Sequence, residues 1–174
     1  YSGGSIVVYI NGSSVISGTD VAKNAWHYLT LSRVSGTTKL FIDGAQVGSN
    51  YTDSNNYGTL PLRIGCRYAT VSDSPYNGYM SSFRIIKGSG VSSQTIPTTP
   101  LTAVSGTSLL LSMANGAVFD NAGMNDLQTV GSAQVSTTQS KYGGASLKFN
   151  GSTDWIISKL PATTVCAFGT GNFT

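Results

Sequence analysis

Two apolar, aromatic runs face each other across a short turn: Trp26-His27-Tyr28-Leu29-Thr30-Leu31-Ser32-Arg33, then Ser35-Gly36-Thr37-Thr38, then Lys39-Leu40-Phe41-Ile42-Asp43-Gly44. Strand-length runs of this kind, separated by a polar turn containing glycine, read as a β-hairpin. Asp43-Gly44 opens another turn at once, so the local structure is a meander of antiparallel strands. A chain carrying this segment is committed to sheet packing around it.

Composition removes the alternative. Glutamate is absent, all seven acids are Asp (20, 43, 53, 73, 120, 126 and 154), and Gly, Ser, Thr and Asn are abundant. Few strong helix formers remain, and the class is mostly β. Charged residues make up 10% of the 174, against roughly 25% in an average domain, so hydroxyl and amide groups must keep the surface wet. The net charge of +3 comes from ten scattered Lys and Arg. No short window clusters them as a nucleic-acid footprint would, and no nucleic-acid partner is expected. No apolar run approaches the roughly 18 residues of a membrane span, so no membrane partner is expected either. The chain starts at Tyr1 and stops at Asn172-Phe173-Thr174 in strand-like sequence, which suggests a piece of a longer polypeptide.

Cys66 and Cys166 match no metal or redox spacing. A Cys66–Cys166 disulfide and two unrelated thiols both stay open, since pairing cannot be read from spacing. Sequons at Asn11, Asn50, Asn150 and Asn172 are what chance produces in a chain so rich in Asn, Ser and Thr.

Along the chain, Ser5-Ile6-Val7-Val8-Tyr9-Ile10 and Ser14-Val15-Ile16-Ser17 flank Asn11-Gly12 and predict a two-residue hairpin. Residues 46–57 read as a polar loop, residues 60–65 as a strand beginning near Pro61, residues 68–77 as a second loop, and residues 78–86 as one strand. Residues 97–107, with Pro97 and Pro100, are the best candidate linker. Beyond it, Leu109–Met113, Ser146–Gly151 and Trp155–Ile157 have strand character.

The hairpin at 26–44, Leu62-Arg63-Ile64-Gly65 and Tyr76-Asn77-Gly78-Tyr79-Met80-Ser81-Ser82-Phe83-Arg84-Ile85 resemble the closing half of a laminin G-like domain of the concanavalin A-like jelly-roll type. Leu109-Leu110-Leu111, Phe119-Asp120-Asn121, the run Ser140 to Gly151 and Phe168-Gly169-Thr170-Gly171-Asn172-Phe173-Thr174 resemble the opening half of the same family. The likeness is strongest to the tandem copies in bacteriophage tail-fibre and other virion surface proteins. It implies an all-β fold, an antiparallel β-sandwich, with parts of two tandem copies: 1–96 as a closing half, 97–107 as a linker and 108–174 as an opening half. A window across adjacent repeats is the expectation, and a circularly permuted sandwich whose halves complete each other is the alternative.

The same resemblance brings in glycoside hydrolases, which work with two carboxylates across the scissile bond. With no Glu and no acid-x-acid pair on a strand, the chain is expected not to be an enzyme. His27, the lone histidine, reads as a sheet-surface or packing residue rather than part of a triad. No cofactor is expected. Calcium, which laminin G-like domains often bind through Asp and carbonyls, has only Asp53 and Asp73 as weak candidate ligands, and turn formation explains both. Tyr51, Asn55, Tyr57, Tyr68, Tyr76 and Asn77 are the weak candidates for ligand contact, because rings stack on sugar faces while amides meet hydroxyls. Trp26, Asp43, Gly44 and Trp155 are read as structural. The core is expected from Trp26, Leu29, Leu31, Leu40, Ile42, Ile64, Phe83, Ile85, Leu110, Leu147, Phe149 and Trp155. The expected role is a non-catalytic structural and adhesion module of a virion surface or extracellular fibre. Its expected partners are cell-surface carbohydrate and other copies of the same or neighbouring subunits. A purely architectural spacer and a secreted eukaryotic adhesion domain remain the alternatives.

Overall fold

The computed structural model describes residues 4–58, 61–66, 75–113, 120–122, 127–158 and 167–174. Among these the chain is all-β with antiparallel pairing throughout, and no helix is long and apolar enough to cross a membrane. The expected antiparallel β-sandwich class holds. Contacts divide the chain into two compact units, one of residues 1–56, 87–98 and 168–174, the other of 57–86 and 99–167.

The first unit is built from tight hairpins. Strands β1 (Ser5–Ile10) and β2 (Ser13–Asp20) pair around Asn11-Gly12, β3 (Leu29–Val34) and β4 (Thr37–Ile42) around Ser35-Gly36, and β4 and β5 (Ala45–Thr52) around Asp43-Gly44. All three turns place both central residues at positive φ, at 50° and 81°, 49° and 73°, and 51° and 85°. That twist matches the twist of the flanking strands, and glycine second in each turn carries it without strain. The 35–38 turn is thus two residues long, and Thr37 and Thr38 already belong to β4.

Strand β5 replaces the loop expected at 46–57 through Thr52. Its apolar residues, Val47 and Tyr51, are four apart because the register slips between Thr38 and Leu40 of the partner strand. The period-two pattern is therefore erased in the sequence. Gly48 sits at this slip with φ 67°, where a Cβ would lie 2.7 Å from Ile16 Cγ2 and 2.8 Å from Ser17 O. Ile16, Leu40 and Ile42 form the buried centre, flanked by Ile6, Val8, Leu31, Val47 and Tyr51 among others. Leu29 departs from the expected core: paired with Ile42 at the last rung of the β3–β4 ladder, it stays 47% exposed. Trp26 precedes β3 and is half-buried, as is Leu31.

The second unit contains β6 (Arg63–Ile64), β7 (Asn77–Met80), β8 (Phe83–Ile86), β9 (Thr107–Leu111), β10 (Leu127–Val130), β11 (Gln134–Ser136), β12 (Ser146–Asn150) and β13 (Trp155–Ser158). They pair as β10-β13-β6, β11-β12-β7 and β8-β9. The strand expected at 78–86 is broken into two that join different sheets, because Ser82 adopts φ 53° and turns the chain. Leu109, Leu110 and Leu111 are buried in succession, the signature of a strand covered on both faces. Leu147, Phe149, Ile64 and Ile156 complete the interior, whereas Phe83 and Trp155 are half-buried. Two buried carboxylates brace it. Asp154 accepts from the amides of Ser132 (2.6 Å) and Asn150 (3.0 Å), and Asp120 accepts from those of Leu110 (2.7 Å) and Ala122 (2.9 Å). In this unit β6, β7 and β8 find their partners in strands that follow residues 97–107.

Candidate functional site

Alternation along β3 and β4 assigns two opposite jobs to neighbouring side chains. Leu31, Arg33, Thr38 and Leu40 share the inner face, while Ser32, Val34, Thr37 and Lys39 share the outer one, as the pairs Arg33–Thr38 and Ser32–Lys39 require.

On the inner face Arg33 is fully enclosed, at 0% exposure. Its Nε donates to Gly171 O (2.9 Å), Nη1 to Asn55 O (2.8 Å), and Nη2 to Gly169 O (2.9 Å) and again to Gly171 O. The Phe173 ring lies 5.2 Å from the guanidinium carbon. Asp53 Oδ1, equally buried, stands 3.5 Å from Nη1. Asp53 Oδ2 accepts from Thr38 Oγ1 (2.7 Å), and Oδ1 accepts from the backbone and side-chain nitrogens of Asn55 (3.1 and 2.9 Å). A planar fork with five donors suits this cluster of carbonyls; a lysine would not. Asp53 is the counter-ion of Arg33, and both of its carboxylate oxygens are engaged within the fold. Among the described residues no three His, Cys, Asp or Glu side chains gather. Asp73 lies outside the described residues.

The candidate ligand residues are largely engaged by their own fold. Tyr51 packs on the core of the first unit and its hydroxyl accepts from Asn55 Nδ2 (3.3 Å). Asn55 Oδ1 in turn accepts from Asn11 Nδ2 (3.0 Å). In the second unit Tyr57 is half-buried, and Tyr76 donates to Tyr79 O (3.2 Å) with its ring edge-on to Phe149 at 6.1 Å. Asn77 is exposed at the start of β7, opposite Asn150. Tyr68 lies outside the described residues, as does Cys166; Cys66 is a half-buried free thiol whose pKa burial pushes up.

His27 is committed at both nitrogens. Nδ1 lies 2.6 Å from Asp43 Oδ2 and Nε2 lies 2.9 Å from Ala22 O, while Asp43 Oδ1 accepts from Tyr28 N (2.8 Å). Both partners are acceptors, so the doubly protonated ring fits best. The hydrogen bond to Asp43, then that to the Ala22 carbonyl, raises its pKa above the ordinary histidine value. An imidazole held this way has no lone pair to serve as a general base.

The outer face carries the opening. Segment 87–98 crosses it, pinned by the bond from Val91 N to Ser32 Oγ (2.7 Å). Gly90 allows the approach: a Cβ there would meet Arg33 O at 2.4 Å and Val34 Cγ2 at 2.9 Å. Between this segment and the sheet lies a shallow cleft of about 260 Å³, lined by Val34, Thr37, Lys39, Asn50, Val91 and Ser92. Asn50 Oδ1 accepts from Gln46 Nε2 (2.8 Å). Sequence reasoning missed this place because Asn50 falls in the stretch expected as a loop, and Val91 and Ser92 carry no strand or motif signal of their own. The outward parity of Thr37 and Lys39 beside buried Thr38 and Leu40 was the available signal.

Residues 1–96 match a laminin G family model described as the concanavalin A-like lectin/glucanase superfamily. Comparison with curated proteins and with solved structures returned no match.

Proposed function

We propose, since this chain belongs to the concanavalin A-like lectin/glucanase superfamily, that it acts as a non-catalytic adhesion module which binds carbohydrate through the cleft on the outer face of β3–β5. The family supports a carbohydrate-binding or adhesion role in general. The observation that carries the finer reading is the cleft itself, with hydroxyl, amide and ammonium groups around two valines. Its 260 Å³ falls below the roughly 300–1,000 Å³ of pockets that enclose a drug-sized ligand. One or two sugar rings, held weakly, are what it accommodates.

Weak sites become useful when repeated. Linked copies gain about 10²–10⁴ in avidity without new contacts, which fits display on a virion surface or extracellular fibre and a host-cell glycan as partner. The pairing of β6, β7 and β8 with strands that follow residues 97–107 supports halves that complete each other's sheets.

A second reading, a purely architectural spacer, is favoured by the internal engagement of Tyr51, Asn55 and Tyr76. A glycan array probed with the chain in monovalent form and clustered on beads separates the two. Retention of a defined glycan class by the clustered form alone, lost in Asn50→Ala, supports the lectin; no retention under clustering leaves the spacer.

A further inference from the structure

We infer that residues 168–174 are an exchangeable strand, and that the slot they fill in the first unit accepts the same segment of a second copy of this chain. The slot has two edges. Phe173 bridges antiparallel to Arg33 of β3 and also to Lys87. Its amide donates to Arg33 O (3.3 Å) and its carbonyl accepts from Arg33 N (3.0 Å), while Gly88 N donates to Asn172 O (2.9 Å). Side chains add to the grip: Ser32 Oγ donates to Phe173 O (3.2 Å), Asn172 Oδ1 accepts from Ser35 N (3.0 Å), and the Arg33 fork holds the carbonyls of Gly169 and Gly171. This is strand addition, in which main-chain bonds supply affinity and a few side chains supply selectivity. An empty slot would present unpaired backbone groups, which are a template for another strand.

Two properties make the segment portable. It shapes itself: Gly171 N donates to Phe168 O (2.9 Å), Gly169 takes φ 58°, and the rings of Phe168 and Phe173 lie 4.8 Å apart. The slot partners named above all lie in the first unit, whereas residues 99–167, through which the segment is joined to it, belong to the other. No tight turn ties the segment to its slot, in contrast with the hairpins of β1 to β5. Occupancy from within the same chain therefore depends on the effective concentration that the intervening residues confer, about millimolar for a short flexible linker and lower for a long one. An identical segment from a second copy makes the same bonds, and reciprocal exchange fills both slots in a closed two-fold pair. This contact is independent of any ligand in the cleft.

The test unfolds the full chain in urea, mixes unlabelled and nitrogen-15-labelled samples, refolds them together over a range of concentrations and weighs the products by native mass spectrometry. The expected result is a dimer, mixed in label, whose share rises with the chain concentration during refolding. A synthetic peptide of residues 168–174, present at about millimolar during refolding to match the effective concentration in question, should bind one to one and remove most of the dimer. The same peptide carrying Phe173→Ser should do neither. A second measurement pairs two damaged full chains, Arg33→Met in the slot and Phe173→Ser in the segment. Refolded together they should form mixed dimers in excess of either variant's own, because only the mixed pair brings one intact slot to one intact segment; this readout does not require either variant to fold alone. Absence of a dimer at every concentration, together with no mixed excess, overturns the inference. A dimer that the peptide leaves unchanged also overturns it, since another surface then holds the copies together. Equal suppression by both peptides overturns it as well, because the slot would not be reading Phe173.

Discussion

Replacing Arg33 by methionine should be among the most damaging single changes in the first unit. The substitution keeps much of the volume of the side chain but removes every donor. Asp53 then stays buried without its counter-ion, and the carbonyls of Gly169, Gly171 and Asn55 lose their guanidinium partner. Breaking a buried pair from one side costs about 3–5 kcal/mol. Each buried acceptor left unmatched costs about 1–3 kcal/mol, and these losses overlap, so about 4 kcal/mol is the expected total. At about 2–4 °C per kcal/mol for a chain of this size, the melting temperature should fall by about 8–16 °C. Asp53→Asn should cost less, about 1–2 kcal/mol, because an amide oxygen in the Oδ1 position still accepts from Asn55 and the NH2 in the Oδ2 position can donate to Thr38 Oγ1, while the carbonyls still hold the guanidinium. Urea titration of both single variants and the double variant supplies the cycle, with coupling expected above about 1 kcal/mol. Hydrogen exchange supplies the location: the amides of Phe173 and Gly88, bonded to Arg33 O and Asn172 O, should exchange faster in Arg33→Met. A loss below about 1 kcal/mol, additive single effects, or unchanged protection at Phe173 would refute the clasp.

Two further outcomes follow from burial and titration. The pKa of His27 is raised by Asp43 and Ala22, so its contribution is fully present below the unfolded value near 6.5 and is lost as pH rises through the higher folded value; urea midpoints between pH 5.5 and 9 should drift downward, and Asp43→Asn should flatten the drift. Leu147→Ala, at a fully buried site, should cost about 2–5 kcal/mol, while Leu29→Ala, 47% exposed, should stay within about 1 kcal/mol; similar costs would mean that the core has been misplaced.

Local signals in the sequence were strong where one short stretch contained the whole instruction. Asn11-Gly12, Gly36 and Asp43-Gly44 each carry a turn requirement that neighbouring residues cannot override, and the hairpins they close stand where expected. Strand β5 was illegible because its bulge separates Val47 from Tyr51, so that polar composition outweighed a lost period. The split at Ser82 was illegible because a serine at positive φ leaves no compositional trace. Arg33 illustrates the deeper limit. Its partners at 55, 169 and 171 are carbonyl oxygens, which every residue possesses, so no side-chain pattern could announce them. The cleft was half legible: strand parity put Lys39 and Thr37 on one face, but the crossing of Val91 over it depends on tertiary packing.

The Arg33 clasp also imposes a timetable. Its guanidinium leaves the ribosome 138 residues ahead of Gly171, the carbonyl it grips twice. At the roughly 5–20 residues per second of synthesis, that delay amounts to about 7–30 s during which a cation destined for burial has Asp53 within reach but not its distal oxygens. The hairpins β1 to β5 can close early, since their turns are local. Their inner face cannot be sealed at Arg33 until residues 169–173 have been made, so closing the first unit waits on that distant segment.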